Sequence, residues 1–239
     1  MSDKKIELIA QLLNKAESTT PEEAEALTEH AERLMVKYSI DQAVIDEKRS
    51  KAGQPSEEII QVRMEFTGAY RGEMLHLGNS VVWGLGTLRV MQYTGGTGRV
   101  FAIFLVGFES DVSQAKLLIE SLQVQSTVAV RAWWKTNKDS YTGVSSYLQE
   151  KSRRSFVHGF GSGAGSRIYE SRVKAIESVS NGTELVLSSR KDKVDNVMNN
   201  LTTGKARSRT ATGRDAAAGQ GYRAGQNSNT GGEGMGISA

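Results

Sequence analysis

Apolar positions recur along this chain at two periods, and the switches between them mark out its elements. Ile6, Ile9, Leu12, Leu13 and Ala16 share one face of a helix. The pattern stops at Ser18-Thr19-Thr20-Pro21, where Thr20 can accept free N–H groups, Pro21 suits a first helical position and Glu23 completes a capping box. A second helix follows with Ala24, Leu27, Ala31, Leu34, Met35 and Tyr38 on its face. Together they predict an antiparallel helical hairpin over residues 1–45, with one apolar seam still to be covered. Residues 46–58 are polar and carry Gly53 and Pro55, which reads as a linker.

Ile59 to Phe66 then alternates as a half-buried strand does. About Arg71 to Leu85 favours a helix carrying Met74, Leu75, Leu77, Val81, Val82 and Trp83. Leu88 to Thr94 is strand-like, Gly95-Gly96-Thr97-Gly98 is a permissive turn, and Val100 to Gly107 is a continuous apolar run that reads as a buried strand. The helix it feeds has Val112, Ala115, Leu118, Ile119, Leu122, Ala129 and Trp133 facing the core. Lys135 to Gly143 is a polar loop. A third long helix runs from Val144 to about Ile176, with Phe156, Phe160, Ala164 and Ile168 at steps of four. Thr183 to Ser189 predicts a further strand, and Lys191 to Leu201 a short helix. From residue 204 the chain is rich in Gly, Ser, Thr, Asn and Arg, which predicts a flexible basic tail over 204–239, with a short helix open to Arg214–Ala218. Strand, helix, hairpin, helix is the order of an α+β domain, here 59–203, with a small mostly antiparallel sheet on long helices.

Charge changes the picture more than composition does. The net charge of +3 is divided unevenly: 8 Lys or Arg against 13 Asp or Glu in residues 1–58, 8 against 6 in 59–146, and 14 against 8 in 147–239. An acidic head and a basic rear suit a nucleic-acid partner, a protein partner or a second copy of the chain. The absence of cysteine excludes disulfides and thiol catalysis and restricts any zinc site to His and carboxylates. No apolar run reaches bilayer length and no apolar signal core follows Met1, so a cytoplasmic protein without a membrane partner is expected.

Ile6–Ser18, Glu22–Leu27 and Ala31–Asp41 resemble the N-terminal module known as domain of unknown function 2786, found in bacterial and bacteriophage proteins. Val106–Asp111 and Arg153–Phe160 are similar to the region that follows it in that family. The resemblance implies a phage or mobile-element setting and brings no reaction, cofactor or catalytic residue.

The candidate chemistry is sparse. Gly159, Gly161, Gly163 and Gly165 fall at steps of two, unlike a nucleotide-binding fingerprint, and no Lys-Ser or Lys-Thr follows. They read as small residues pressed against another element. Glu109 and Asp111 lie where a strand meets a helix, where carboxylates can bind a metal or move protons; Ser110 or Asp111 as a cap, with Gln114 in reciprocal position, is the plainer reading. Glu73 and His76 share a helix face, and His158 sits near Arg153 and Arg154, without the second Glu-x-x-His that a carboxylate-bridged metal site needs. The basic residues carry the strongest signal, with Lys151, Arg154 and Arg172 on the third helix and Lys205, Arg207, Arg209 and Arg214 on the tail suited to phosphates. The expectation is a non-enzymatic accessory protein that binds nucleic acid or protein, with no cofactor. Two alternatives stand beside it: a metal-dependent hydrolase using Glu73, His76, Glu109, Asp111 and His158, and an adaptor that docks through the acidic N-terminal hairpin.

Overall fold

The computed structural model describes residues 2–16, 57–94, 101–177, 183–201 and 215–228, together with scattered positions from 19 to 53. The fold is α+β. Its elements are α1 (Ser2–Ala16), β1 (Ile59–Phe66), α2 (Arg71–Leu85), β2 (Arg89–Thr94), β3 (Phe101–Phe108), α3 (Glu109–Asn137), a 3-10 turn (Lys138–Tyr141), α4 (Ser146–Glu177), α5 (Thr183–Asn199) and α6 (Ala216–Gln226).

The three strands form one antiparallel sheet in the order β1-β3-β2, with Ile59 opposite Phe108 and Arg89 opposite Val106. Its central strand is covered on both faces, which is why β3 is an unbroken apolar run rather than an alternating one. Phe101, Ile103 and Leu105 join the core built with α2, α3 and α4, whereas Val106 and Phe108 meet Val194 from α5.

That placement corrects the reading of residues 183–201. Thr183–Asn199 form one helix, not a strand followed by a helix. Leu187, Arg190 and Val194 are buried, and Val197, Met198 and Leu201 pack beside Val194, a helical spacing. The adjacent Leu and Val of Thr183–Ser189 suggested a strand, but the outer sheet face takes a helix there.

The N-terminal seam finds its cover within the chain. Ile9, Leu13, Ala31 and Met35 join the same core as α3, and the described positions 26, 27, 30, 31, 34, 35, 37 and 38 are helical. Thr20, Pro21 and Ala24 lie outside the described residues, as does the Gly95–Gly98 turn. Glu23 is fastened to Lys15 at 2.9 Å and accepts from Thr19, which clasps the corner between the two helical stretches.

The glycines of α4 serve two opposite neighbours. A Cβ on Gly161 would lie 2.9 Å from the Cα of Leu77, and one on Gly165 2.8 Å from the Cβ of Ser80, both in α2. A Cβ on Gly159 or Gly163 would instead fall on the backbone of α6, at Ala218 and Tyr222. Steps of two place alternate glycines on opposite sides of a helix, so α4 lies between α2 and α6 with backbones close on both sides.

Within the Gly-rich tail, α6 is therefore an ordered, docked helix. Asp215 caps its start by accepting from the Ala218 N–H at 2.9 Å, Trp133 Nε1 donates to Gln220 Oε1 at 2.6 Å, and buried Arg167 donates to the Gln226 carbonyl at its end. Its glycines remove side-chain bulk where a core helix would ordinarily supply it.

Candidate functional site

Of the two acidic residues at the β3–α3 junction, Asp111 is buried in an ion-pair network and Glu109 is exposed. No side chain of α3 caps its own N-terminus. The cap comes from Glu57, at the end of the expected linker, whose carboxylate accepts from the Ser110 N–H. This corrects the Ser110 or Asp111 cap and its reciprocal bond from Gln114. Asp111 is buried and accepts from Arg190 Nε at 3.1 Å, while Arg190 Nη2 donates to Glu57 at 2.7 Å and to Ser110 Oγ at 3.1 Å. The guanidinium also lies 3.7 Å from the centre of the Phe108 ring. Burial opposes the charge on Arg190, which is only 4% exposed, but Asp111 and Glu57 outweigh it and hold its pKa above the ordinary value. Arginine in a low-dielectric site with two carboxylates is a fold-locking network, and no substrate oxygen is needed to satisfy it. Glu109 is exposed beside it, its N–H donating to the Glu58 carbonyl at 3.2 Å.

Glu73, His76 and His158 do come together, in the seam between α2 and α4. The His76 and His158 rings stack face to face, with centroids 3.7 Å apart and planes 4° from parallel. His76 Nε2 is 2.9 Å from Ser162 Oγ, and Ser80 Oγ donates to the His76 carbonyl at 3.0 Å. Burial, helped by the neighbouring imidazole, pushes the His76 pKa down to about 4, and burial likewise lowers that of His158 against the pull of Glu73. Glu73 is 7% exposed and paired with Arg154 at 3.0 Å, and Arg154 also holds Glu150 at 2.9 Å.

This cluster is poorly suited to hydrolysis. Rings stacked in parallel send their nitrogen lone pairs side by side rather than toward one point, and among the described residues no group of three or more His, Asp or Glu could hold a metal ion. Ser162 with His76 has the reach of a nucleophile and base, yet it sits inside a helix whose neighbouring N–H groups are committed to the helical ladder. Those backbone N–H groups are therefore not offered to an oxyanion. An imidazole with a pKa near 4 is also a weak base at neutral pH.

A different surface gathers cations and aromatics: the tip where α3 turns into α4. Trp133 stacks on Phe156 with centroids 4.9 Å apart, Trp134 lies 5.2 Å from Tyr141, and the Arg153 guanidinium sits 4.6 Å over the Trp134 ring. Around them Arg131, Lys135, Lys138 and Lys151 are exposed and make no ion pair among the described residues. Arg131, Lys135 and Lys138 recur at i, i+4 and i+7, one ridge of the helix and its 3-10 extension. Residues 131–154 hold six Lys or Arg against two Asp or Glu, a net +4.

Of the basic residues read from sequence, Lys151 is exposed at this tip, Arg154 is engaged with Glu73 and Glu150, and Arg172 is half-buried at the far end of α4, its guanidinium over Gly86. Lys205, Arg207, Arg209 and Arg214 lie outside the described residues. Sequence reasoning missed the Arg131–Lys138 ridge because those cations follow a strongly apolar helix face; their spacing was the available signal. Among the described residues no helix is long and apolar enough to cross a membrane.

Residues 4–42 match the model of a family described as a protein of unknown function, DUF2786. No curated protein and no solved structure matches the chain.

Proposed function

We propose that the protein is a non-enzymatic nucleic-acid-binding accessory protein that engages phosphates through the tip of the α3–α4 hairpin. The observation that carries this reading is the exposed set of Arg131, Lys135, Lys138 and Lys151 around Trp134 and Tyr141, cations with no protein partner among the described residues. Unpaired exposed Lys and Arg lose little on meeting a phosphate and release condensed counterions when they do. The tail residues Lys205, Arg207, Arg209 and Arg214 are proposed to add to the same electrostatic field. Arg154, tied to two carboxylates, contributes less than its sequence position suggested.

The test is a mobility-shift titration with DNA and with RNA at low and moderate salt. Binding that weakens as salt rises, with the logarithmic salt slope reduced by about two in the Lys135→Glu/Lys138→Glu double variant, supports the assignment. Absence of binding at both salts refutes it. An unchanged slope in the double variant would move the interface away from this tip.

A further inference from the structure

A second pair of aromatic rings lies at the opposite end of α4. Trp83 in the last turn of α2 stacks on Tyr169 of α4, with ring centroids 5.0 Å apart and planes inclined by 21°. Trp83 is 59% exposed and Tyr169 43%. The helix carrying Trp83 buries its apolar neighbours Val81 and Val82, so this indole was expected among core residues and is instead displayed on the surface. Its place is fixed by the backbone. A Cβ on Gly84 would lie 2.7 Å from the Gly165 carbonyl oxygen and 2.9 Å from Ile168, which shows how closely the two helices approach beside the rings.

Arg172 stands one helical turn beyond Tyr169. Its guanidinium lies over Gly86, which takes a left-handed conformation at φ 66° after α2 and leaves room that a side chain would fill. Arg172 is half-buried, yet makes no hydrogen bond or ion pair with any described residue. Arg89 nearby is already neutralised by Asp195 at 2.5 Å. The surface thus combines one exposed, pre-stacked aromatic pair with one half-buried cation beside it, which feels the charge of Asp111 but forms no ion pair with a described residue. A flat apolar face next to a positive charge complements an unpaired base followed by its phosphate, and a duplex keeps its base faces covered.

We propose that Trp83 and Tyr169 form a stacking platform for an unpaired nucleobase, with Arg172 holding the adjacent phosphate. The proposal rests on the reading of the protein as a nucleic-acid binder and narrows it to single-stranded substrate at this second position. It adds a contact that discriminates by strandedness to the cationic α3–α4 tip.

The experiment compares affinities for an oligothymidylate and for a loop-free duplex of equal charge, by fluorescence anisotropy of labelled oligonucleotides. Full-length wild type is set against Trp83→Ala, Trp83→Phe and Tyr169→Ala, with circular dichroism to verify that each is folded. Trp83→Ala is expected to weaken single-strand binding about tenfold, to leave duplex binding unchanged, and to be largely rescued by Trp83→Phe. Wild-type binding with no effect of Trp83→Ala and Tyr169→Ala on the single strand overturns the platform and leaves the nucleic-acid reading intact. Equal loss on single strand and duplex also overturns it, since stacking on an open base would not act on both. No binding of either oligonucleotide by wild type removes both proposals together.

Discussion

Replacing Gly221 by alanine probes the joint between α4 and α6. A Cβ there would lie 2.7 Å from the carbonyl carbon of Phe156 and 2.9 Å from its Cα, closer than side-chain carbons approach backbone in practice. The obstructing atoms belong to a helix backbone buried in the core, so no side chain can rotate away and α6 must retreat. Overpacking of this kind costs about 1–3 kcal/mol, while exchanging a mid-helix glycine for alanine returns about 1 kcal/mol of helix propensity. Gly219 lies in the same helix, two residues away, and a Cβ on it meets nothing within 4 Å. Gly219→Ala therefore gains propensity with no clash and is expected to stabilise the protein. The two variants should straddle the wild type and differ by the steric cost alone, about 1–3 kcal/mol. Urea denaturation followed by far-UV circular dichroism gives the overall stability. Tryptophan fluorescence adds a local report, because the Trp133 indole donates to Gln220 of α6 at 2.6 Å. If Gly221→Ala proves as stabilising as Gly219→Ala, α6 does not occupy the groove described, and the account of alternating glycines falls with it.

Acidification should weaken the α2–α4 seam. The His76 pKa of about 4 in the folded state lies below its ordinary 6.5, so the unfolded chain takes up the proton more readily; the contribution is complete above about pH 7 and declines as pH falls through 6.5 toward 4. Relative to His76→Gln, the wild type should lose about 2 kcal/mol between pH 7 and pH 5, with His158 acting in the same direction, and equal urea midpoint shifts in both proteins would contradict the burial of this imidazole. Arg190→Met removes the guanidinium that bridges Asp111 and Glu57 and should cost about 3–5 kcal/mol, since it takes a paired cation away from two carboxylates that the fold has largely withdrawn from water. A loss below about 1 kcal/mol in thermal or urea melts would show that water reaches these groups.

How much of this was legible in the chain differs from element to element. Helix α2 was read with its observed bounds, and β3 with the helix that follows it, because their apolar patterns are dense and bounded by residues that stop them. α5 was misread at Thr183–Ser189, where an apolar stretch too short to show its period serves either a strand or a helix and the choice was made by the sheet face it covers. Whether the candidate carboxylates and histidines converge was not readable from the chain. Asp111 is defined by Arg190, 79 positions later, and Glu73 by Arg154, 81 positions later. The cap of α3 comes from Glu57, 53 positions before Ser110, so no local signature could reveal it.

The sequence by itself determined that the protein is α+β, that a buried strand feeds a long helix, and that its rear third is basic, since periodicity and charge are properties of neighbouring residues. Tertiary structure alone decided which faces meet. The period of a helix says which side is apolar without saying what covers it, so the glycines at steps of two became intelligible only once α2 and α6 were seen on opposite sides of α4. The same holds for the surfaces proposed to function. Trp83 and Tyr169 stack because two backbones approach at Gly84 and Gly165, and the Arg131–Lys138 ridge meets Trp134 and Tyr141 because a 3-10 turn folds α3 back toward α4.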